Sequence, residues 1–338
     1  MKGFEDLKSV MLGGFIGDAA GVAFEFRKRN DFASLFKNEE ITQYMSSFSH
    51  QTGIVSDDSQ MSAFTLEGLI SALRKNPEAT EQEYEFELRQ AYSNWLFSQG
   101  LENGLASPSR SYLLSQDIVL HRRNPGMTCI SALSDMFTLM PSSARNDSRG
   151  CGAVMRVAPI GMLGYQKGWD EKKTFSLAEC SAFITHNHPT AATASGLFAV
   201  LIQKLLSSTT LLNAANELIN TYGGYSYNKA AVKPLVKAVK HVSLNTPPLE
   251  SINDIGLGWT SEEALGIAVY CMMKASSFEN LLYLSIVHDG DSDSTASMAG
   301  NLWGALNGMN GVRDYWIEEN EYTELAIPLV MGLIDSTK

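Results

Sequence analysis

Apolar residues recur at helical spacing through almost the whole chain, and few stretches alternate apolar and polar residues for more than four positions. No other feature limits the fold as much, because a strand buries alternate side chains whereas a helix buries every third and fourth. The spacing predicts a first helix over Leu7–Phe26, a second from near Asp57, and further helices over 81–98, 126–139, 175–185, 190–206, 211–221, 230–241, 261–275, 277–287 and 295–307. Stretches rich in Gly, Ser, Asn, Asp or Pro predict loops at 40–56, 100–112, 140–155, 242–260 and 287–294. The chain of 338 residues shows no internal repeat, heptad pattern or Pro- or Gly/Ser-rich linker. One compact all-α domain over residues 1–338 is therefore expected, although the length would also allow two smaller cores.

The first helix is unusual in its small residues. Gly13, Gly14, Gly17 and Gly21 each cost roughly 1 kcal/mol of helix propensity relative to alanine, so close helix packing or backbone near a ligand should offset them. Ala296, Ala299, Gly300, Gly304 and Ala305 give a helix near the C-terminus a similar face. Two such helices can approach closely and bring their ends to one cavity; ordinary tight core packing fits the pattern equally well.

Charge and cysteine usage narrow the function classes. The net charge of −11, from 26 basic and 37 acidic residues, disfavours nucleic acid as a partner. The two densest basic runs, Arg27-Lys28-Arg29 and His121-Arg122-Arg123, are short and read as solvated surface. No run of about 18 consecutive apolar residues suggests a membrane span. The acidic start, Met1-Lys2-Gly3-Phe4-Glu5-Asp6, lacks the basic and apolar regions of a secretory signal. Cys129, Cys151, Cys180 and Cys271 form no CxxC pair, which argues against a zinc site or disulfide framework and fits a reducing cytoplasm.

Two polar clusters of one kind stand far apart: Ser56-Asp57-Asp58-Ser59 and Asp289-Gly290-Asp291-Ser292-Asp293-Ser294-Thr295. Each joins carboxylates and hydroxyls at a loop-to-helix junction, the oxygen-rich donor set that hard cations such as Mg²⁺ and Ca²⁺ require. The local alternative is helix capping, which Asp-Asp-Ser before a helix usually performs. An EF-hand loop counted from Asp289 would need Gly at its sixth position and Glu at its twelfth; this chain has Ser294 and Gly300 there.

Five segments together resemble the ADP-ribosylglycohydrolase family, typified by the dinitrogenase reductase-activating glycohydrolase. They are GGFIGDAAGVAFEF (13–26), SDDSQM (56–61), SRGCGAVMRVAPIG (148–161), THNHPTA (185–191) and HDGDSDSTASMAGNLWGALNG (288–308), in that order along nearly the whole chain. The resemblance implies a compact orthogonal helical bundle with a central dinuclear metal cleft. It implies that Ser56, Asp57 and Asp58, with Asp291, Asp293 and Ser294, hold two Mg²⁺ ions, Asp293 lying between them. Serine replaces threonine in these triplets and still supplies a neutral hydroxyl oxygen; Mn²⁺ would suit the same octahedral oxygen site. Glu25 matches an acidic residue that some members place beside the reacting water. Ser148, Arg149, Gly150, Cys151 and Gly152 match the family's glycine-rich loop around diphosphate and ribose, and His186 matches a position near the substrate. Gly256-Leu257-Gly258-Trp259 resembles a further family segment, with Trp259 either on the ligand cavity or in the core.

The implied reaction is hydrolysis of a glycosidic bond at the ribose of an ADP-ribosyl group. Water attack there needs a carboxylate to accept a proton, with Glu25 and Asp57 as candidates, and cations to orient the sugar and activate water. The HDGDSDST segment looks most similar to members that release ADP-ribose from arginine, so the expected substrate is an ADP-ribosylated protein and the product ADP-ribose. The same chemistry on a serine, nucleic-acid or O-acetyl-ADP-ribose linkage is the nearest alternative. Two others are a non-catalytic relative that binds ADP-ribose or a partner, such as an immunity protein, and a calcium-binding structural protein.

Overall fold

The computed structural model describes residues 3–42, 51–244 and 246–338. Residues 43–50 of the loop expected at 40–56, and Asn245 of that at 242–260, lie outside the described residues. Among the described residues there are sixteen α-helices and no β-strand; isolated bridges join Lys37 to Glu40 and Gly150 to Thr260.

The first helix, Phe4–Gly21, runs antiparallel to Ser292–Asn307 at the centre of the bundle. Small residues make the approach possible. A methyl added at Gly13 would strike the Gly300 carbonyl, one at Gly17 the Ala296 carbonyl, one at Gly21 the Ser292 carbonyl, and one at Gly304 the Ser9 carbonyl. Successive pairs step by four residues, one turn at a time, in opposite directions along the two helices. Gly21, at the end of the first helix, thereby meets Ser292, at the start of the other.

The remaining helices wrap this pair. Asp57–Lys75 packs on Glu81–Ser98 and Thr323–Ser336, Glu171–Phe183 on Pro189–Leu206, and Lys229–Val242 on Ser261–Lys274. One buried apolar cluster extends from Leu7 to Leu333. Pro189–Leu206 has the length and hydropathy of a membrane span, yet 89% of it is buried inside the fold.

The main departures from expectation lie at glycine and proline. The first helix stops at Gly21, and Val22–Phe26 turns away from it, Phe26 adopting φ +62°. The helix expected over 126–139 spans only Met127–Ser134. The loop expected over 242–260 contains the helix Pro248–Ile255, because Pro248 starts a helix at a position where its missing N–H costs nothing. Ala158–Gln166 and Thr323–Ser336 were not expected: the first has Pro159 in its opening turn, and the second carries Pro328 inside, where proline normally ends a helix.

Candidate active site

Three helix ends meet at one point. Asp18, one turn before the end of the first helix, is fully buried and bridges to the start of Asp57–Lys75. Its carboxylate accepts the Ser56 amide (3.0 and 3.1 Å to its two oxygens), the Ser59 amide (3.0 Å) and the Ser59 hydroxyl. Ser56 is the N-cap of that helix, its Oγ accepting the Asp58 amide at 3.2 Å. Asp291 caps Ser292–Asn307 in the same way, its Oδ1 accepting the Ser294 amide at 3.2 Å. The capping reading of both clusters thus holds. Ser56 and Asp293, more than 230 residues apart in the chain, come close enough for the Ser56 hydroxyl to oppose the rise that burial imposes on the Asp293 carboxyl.

Above this junction opens a cavity of about 530 Å³ whose wall includes Glu25, Asp57, Asp58, Asp291, Asp293 and Ser294. Small-molecule sites run from about 300 to 1,000 Å³. Ser56 lies beneath the wall. Asp57 Oδ2 accepts the Gly126 amide (3.1 Å), Glu25 Oε2 the Asn124 side-chain amide (3.1 Å), and Asp291 Oδ2 the Cys151 thiol (2.7 Å). At the rim the exposed Phe26 stacks on Trp259, ring centroids 5.2 Å apart.

Five carboxylates on one cavity wall, with Asp18 beneath, are electrostatically costly. Burial, and then the charges of Asp293, Asp291 and Asp57, push the Glu25 carboxyl up to about 10. Burial and Asp293 push Asp18 to about 7. Burial first, and repulsion from neighbouring carboxylates including Asp293, hold Asp57, Asp58 and Asp291 well above the carboxylate range, against the hydrogen bonds from Gly126 to Asp57 and from Cys151 and Ser294 to Asp291. Burial raises Asp293 as well. Either protons or cations must neutralise such a group.

The residues fit cations in one further respect. Asp58 Oδ1 is buried without any hydrogen-bond partner, an oxygen left with an unmet demand for positive charge. The two acidic clusters themselves offer only carboxylate and hydroxyl oxygens, which suits a hard divalent ion, with the Cys151 thiol donating to one of those oxygens. The side chains do not close into a finished cage, since among the described residues no three His, Cys, Asp or Glu groups form a ready metal-binding set. The fit therefore rests on the orphaned oxygen, the charge and the donor chemistry.

The glycine-rich loop is only partly on the cavity. Cys151 and Gly152 line it; Ser148, Arg149 and Gly150 do not. Arg149 is half-exposed and pairs with Glu262 at 3.0 Å. The Gly150 and Cys151 amides, expected to face phosphate, already donate to Ser148 Oγ (3.2 Å) and to the Trp259 carbonyl (3.1 Å). His186 is buried behind Gly150 and Gly152, off the wall. Trp259 is on the cavity rather than in the core.

Sequence reasoning missed several wall residues. Arg122, read as solvated surface, lines the cavity with Asn124, Pro125, Gly126 and Met127. Their signal was faint: an Asn-Pro-Gly turn after two arginines, in a segment read as surface and helix start. Asp18 had a clearer signal, as the only charged residue between Lys8 and Glu25 in an apolar, glycine-rich helix.

Comparison with known proteins bears on the family and the fold. A sequence model of the family "ADP-ribosylglycohydrolase" matches residues 3–337. The chain is 27% identical over 231 residues to "ADP-ribosylhydrolase ARH1" of Dictyostelium discoideum, covering 52% of this chain and 58% of that protein. It is 22% identical over 365 residues to "ADP-ribosylhydrolase ARH3" of Bos taurus, covering 96% and 91%. The match to ARH3 of Mus musculus again spans little more than half of that protein, 56%. A solved "ADP-ribosylglycohydrolase-related protein complex" shares the fold over 99% of both chains, with a TM-score of 0.68 and 17% identity. With the family's pattern running from residue 3 to residue 337, the chain belongs to the ADP-ribosylglycohydrolase family.

Proposed function

We propose that this protein hydrolyses the N-glycosidic bond of ADP-ribosyl-arginine on a modified protein, releasing ADP-ribose. The observation that carries this reading is the meeting of Asp57, Asp58, Asp291 and Asp293 on the wall of one cavity of about 530 Å³. Ser56, Asp57, Asp58, Asp291, Asp293 and Ser294 would hold two divalent cations, Mg²⁺ or alternatively Mn²⁺. When bound, these would neutralise the carboxylates, orient ribose hydroxyls and acidify water.

The chain's own groups would manage the proton and the substrate. Glu25, oriented by Asn124, faces the cavity; cations that neutralise Asp293, Asp291 and Asp57 would lower its raised pKa and leave it ionised, as a group that takes a proton from attacking water must be. Asp57, steadied by the Gly126 amide, is the second candidate. Phe26 and Trp259 offer apolar surface at the rim, and Arg122 a positive charge on an otherwise anionic wall, where a diphosphate needs compensation. Family membership and the ADP-ribosylhydrolase relatives support the reaction class. Four free thiols accord with a cytoplasmic site of action.

The test is ADP-ribose release from arginine-modified protein, with and without chelator, beside serine-linked, nucleic-acid-linked and O-acetyl substrates. Release from arginine that stops on chelation is expected. No release from arginine would refute the linkage. Activity that survives both chelation and the double change Asp291→Asn with Asp293→Asn would refute the cation requirement.

A further inference from the structure

The stretch from Arg122 to Gly126 has neither helix nor strand to stiffen it, yet two of its amides reach site carboxylates. The Asn124 side chain donates to Glu25 Oε2 and the Gly126 backbone to Asp57 Oδ2, each at 3.1 Å. Arg122 and Asn124 line the cavity, whereas Arg123 between them points into the protein. Although it reads as solvated surface in the sequence, the Arg123 side chain is only 13% exposed. Its fork meets the buried carboxylate of Glu321: Nη2 donates to Oε2 at 2.9 Å and Nε to Oε1 at 3.3 Å. A two-pronged pair of this kind fixes orientation as well as distance.

Glu321 serves a second segment with the same carboxylate. Its Oε1 also accepts the Val55 amide at 3.1 Å, and its own amide donates to the Gly53 carbonyl at 3.1 Å. Val55 immediately precedes Ser56, the cap of the helix that carries Asp57 and Asp58. One carboxylate therefore ties the irregular wall, 198 residues away in sequence, to the start of that helix, 266 residues away. Two neutral bonds hold the backbone of the stretch: the buried Gln60 side chain donates to the His121 carbonyl at 2.9 Å, and Gln99 Oε1 accepts the Arg123 amide at 3.4 Å. The charged pair adds direction. Anchored inward between two wall residues, Arg123 sets which way Arg122 and Asn124 face.

We propose that Arg123 and Glu321 are positioning residues: their ion pair holds the Arg122–Gly126 stretch against the start of the Asp57 helix, so that the Asn124 and Gly126 amides stay on Glu25 and Asp57. What this alignment serves rests on the function proposed above; the brace itself does not.

Two conservative variants test it. Glu321→Gln keeps the shape and an acceptor for the Val55 amide, and Arg123→Lys keeps the charge but loses the fork. Amide hydrogen exchange followed by NMR in chelator reads the brace. In both variants the Gly126 amide should exchange about tenfold faster than in wild type, while amides of Lys229–Val242, a helix packed on Ser261–Lys274, keep their rates. The double variant should be no faster than the faster single one, because both changes break one interaction. Unchanged exchange at Gly126, an acceleration shared by Lys229–Val242, or additive effects in the double variant would overturn the proposal. Kinetics on arginine-linked ADP-ribosyl protein with Mg²⁺ read the consequence. In each variant kcat should fall about tenfold and KM rise about threefold, since Arg122 moves with the stretch. A lower kcat at unchanged KM, the mark of fewer folded molecules, would overturn it, as would wild-type kinetics. Faster Gly126 exchange in variants of a protein that releases no ADP-ribose from arginine would uphold the brace and refute the proposed reaction.

Discussion

Replacing Gly300 by alanine sets two opposed effects against each other in the helix that carries Asp293 and Ser294. In an isolated helix the change would stabilise by about 1 kcal/mol, since glycine is a poor helix former. In the folded protein the new methyl carbon would lie 2.5 Å from the carbonyl carbon of Gly13. Non-bonded carbons settle about 3.5–4.0 Å apart, so the helices must part by about 1 Å. The obstacle is the backbone of the central helix, which cannot swing aside like a side chain. Overpacking of this kind costs about 1–3 kcal/mol, and the upper end applies where backbone meets backbone, leaving a net loss of about 2 kcal/mol after the propensity gain. For a chain of this size that lowers Tm by roughly 3 °C. Calorimetry in excess chelator measures it without a contribution from bound cation. The rise in Tm on adding Mg²⁺ should also shrink, because the displacement carries Asp293 away from Ser56. A Gly300→Ala protein at least as stable as wild type would refute the close-packing account of these glycines and the site geometry that depends on it.

The buried carboxylates give the cation-free protein an unusual pH dependence. Glu25 and Asp18 rise from ordinary values of 4.5 and 3.8 to about 10 and about 7, so the native state holds more protons than the unfolded chain across that interval. Stability in chelator should be greatest below the ordinary values and fall as pH climbs through neutrality toward about 10, with Mg²⁺ restoring most at the alkaline end. Melting temperatures at acid, neutral and alkaline pH that stay level or rise in chelator would contradict this. Asp18→Ala removes the acceptor of three buried donors, the Ser56 and Ser59 amides and the Ser59 hydroxyl. Orphaned buried donors cost about 1–3 kcal/mol each, partly offset by deleting a repelled charge, so a net loss of about 3 kcal/mol is expected in urea unfolding; an unchanged midpoint would show that Asp18 does not brace the helix start.

Much of the helical layout was legible in the sequence. The starts at Asp57 and Glu81 and the spans near 190–206, 211–221 and 261–275 agree with the structure to within a residue or two, because long amphipathic patterns and capping residues are local signals. Pro248 and Pro328 hid two helices, since a proline's effect depends on whether its ring and missing N–H are tolerated where it falls. The wall formed by Arg122 to Met127 was hidden for another reason. A short irregular segment has no periodicity, and what it lines is set by the helices around it.

The amino-acid order by itself determined that the chain is helical, that small residues line one face of the first helix and of Ser292–Asn307, and that acidic residues gather at two helix starts. Helical period, glycine content and capping chemistry are properties of neighbours along the chain, so a sequence carries them in full. Only the tertiary structure decided that the two acidic starts share one cavity. The antiparallel register of Gly13 with Gly300 and Gly21 with Ser292, together with the Asp18 bridge to Ser56, draws them together. The same packing turned Arg149 outward and placed His186 behind its loop. Contacts across more than 200 residues depend on which surfaces fit, and no local pattern records that.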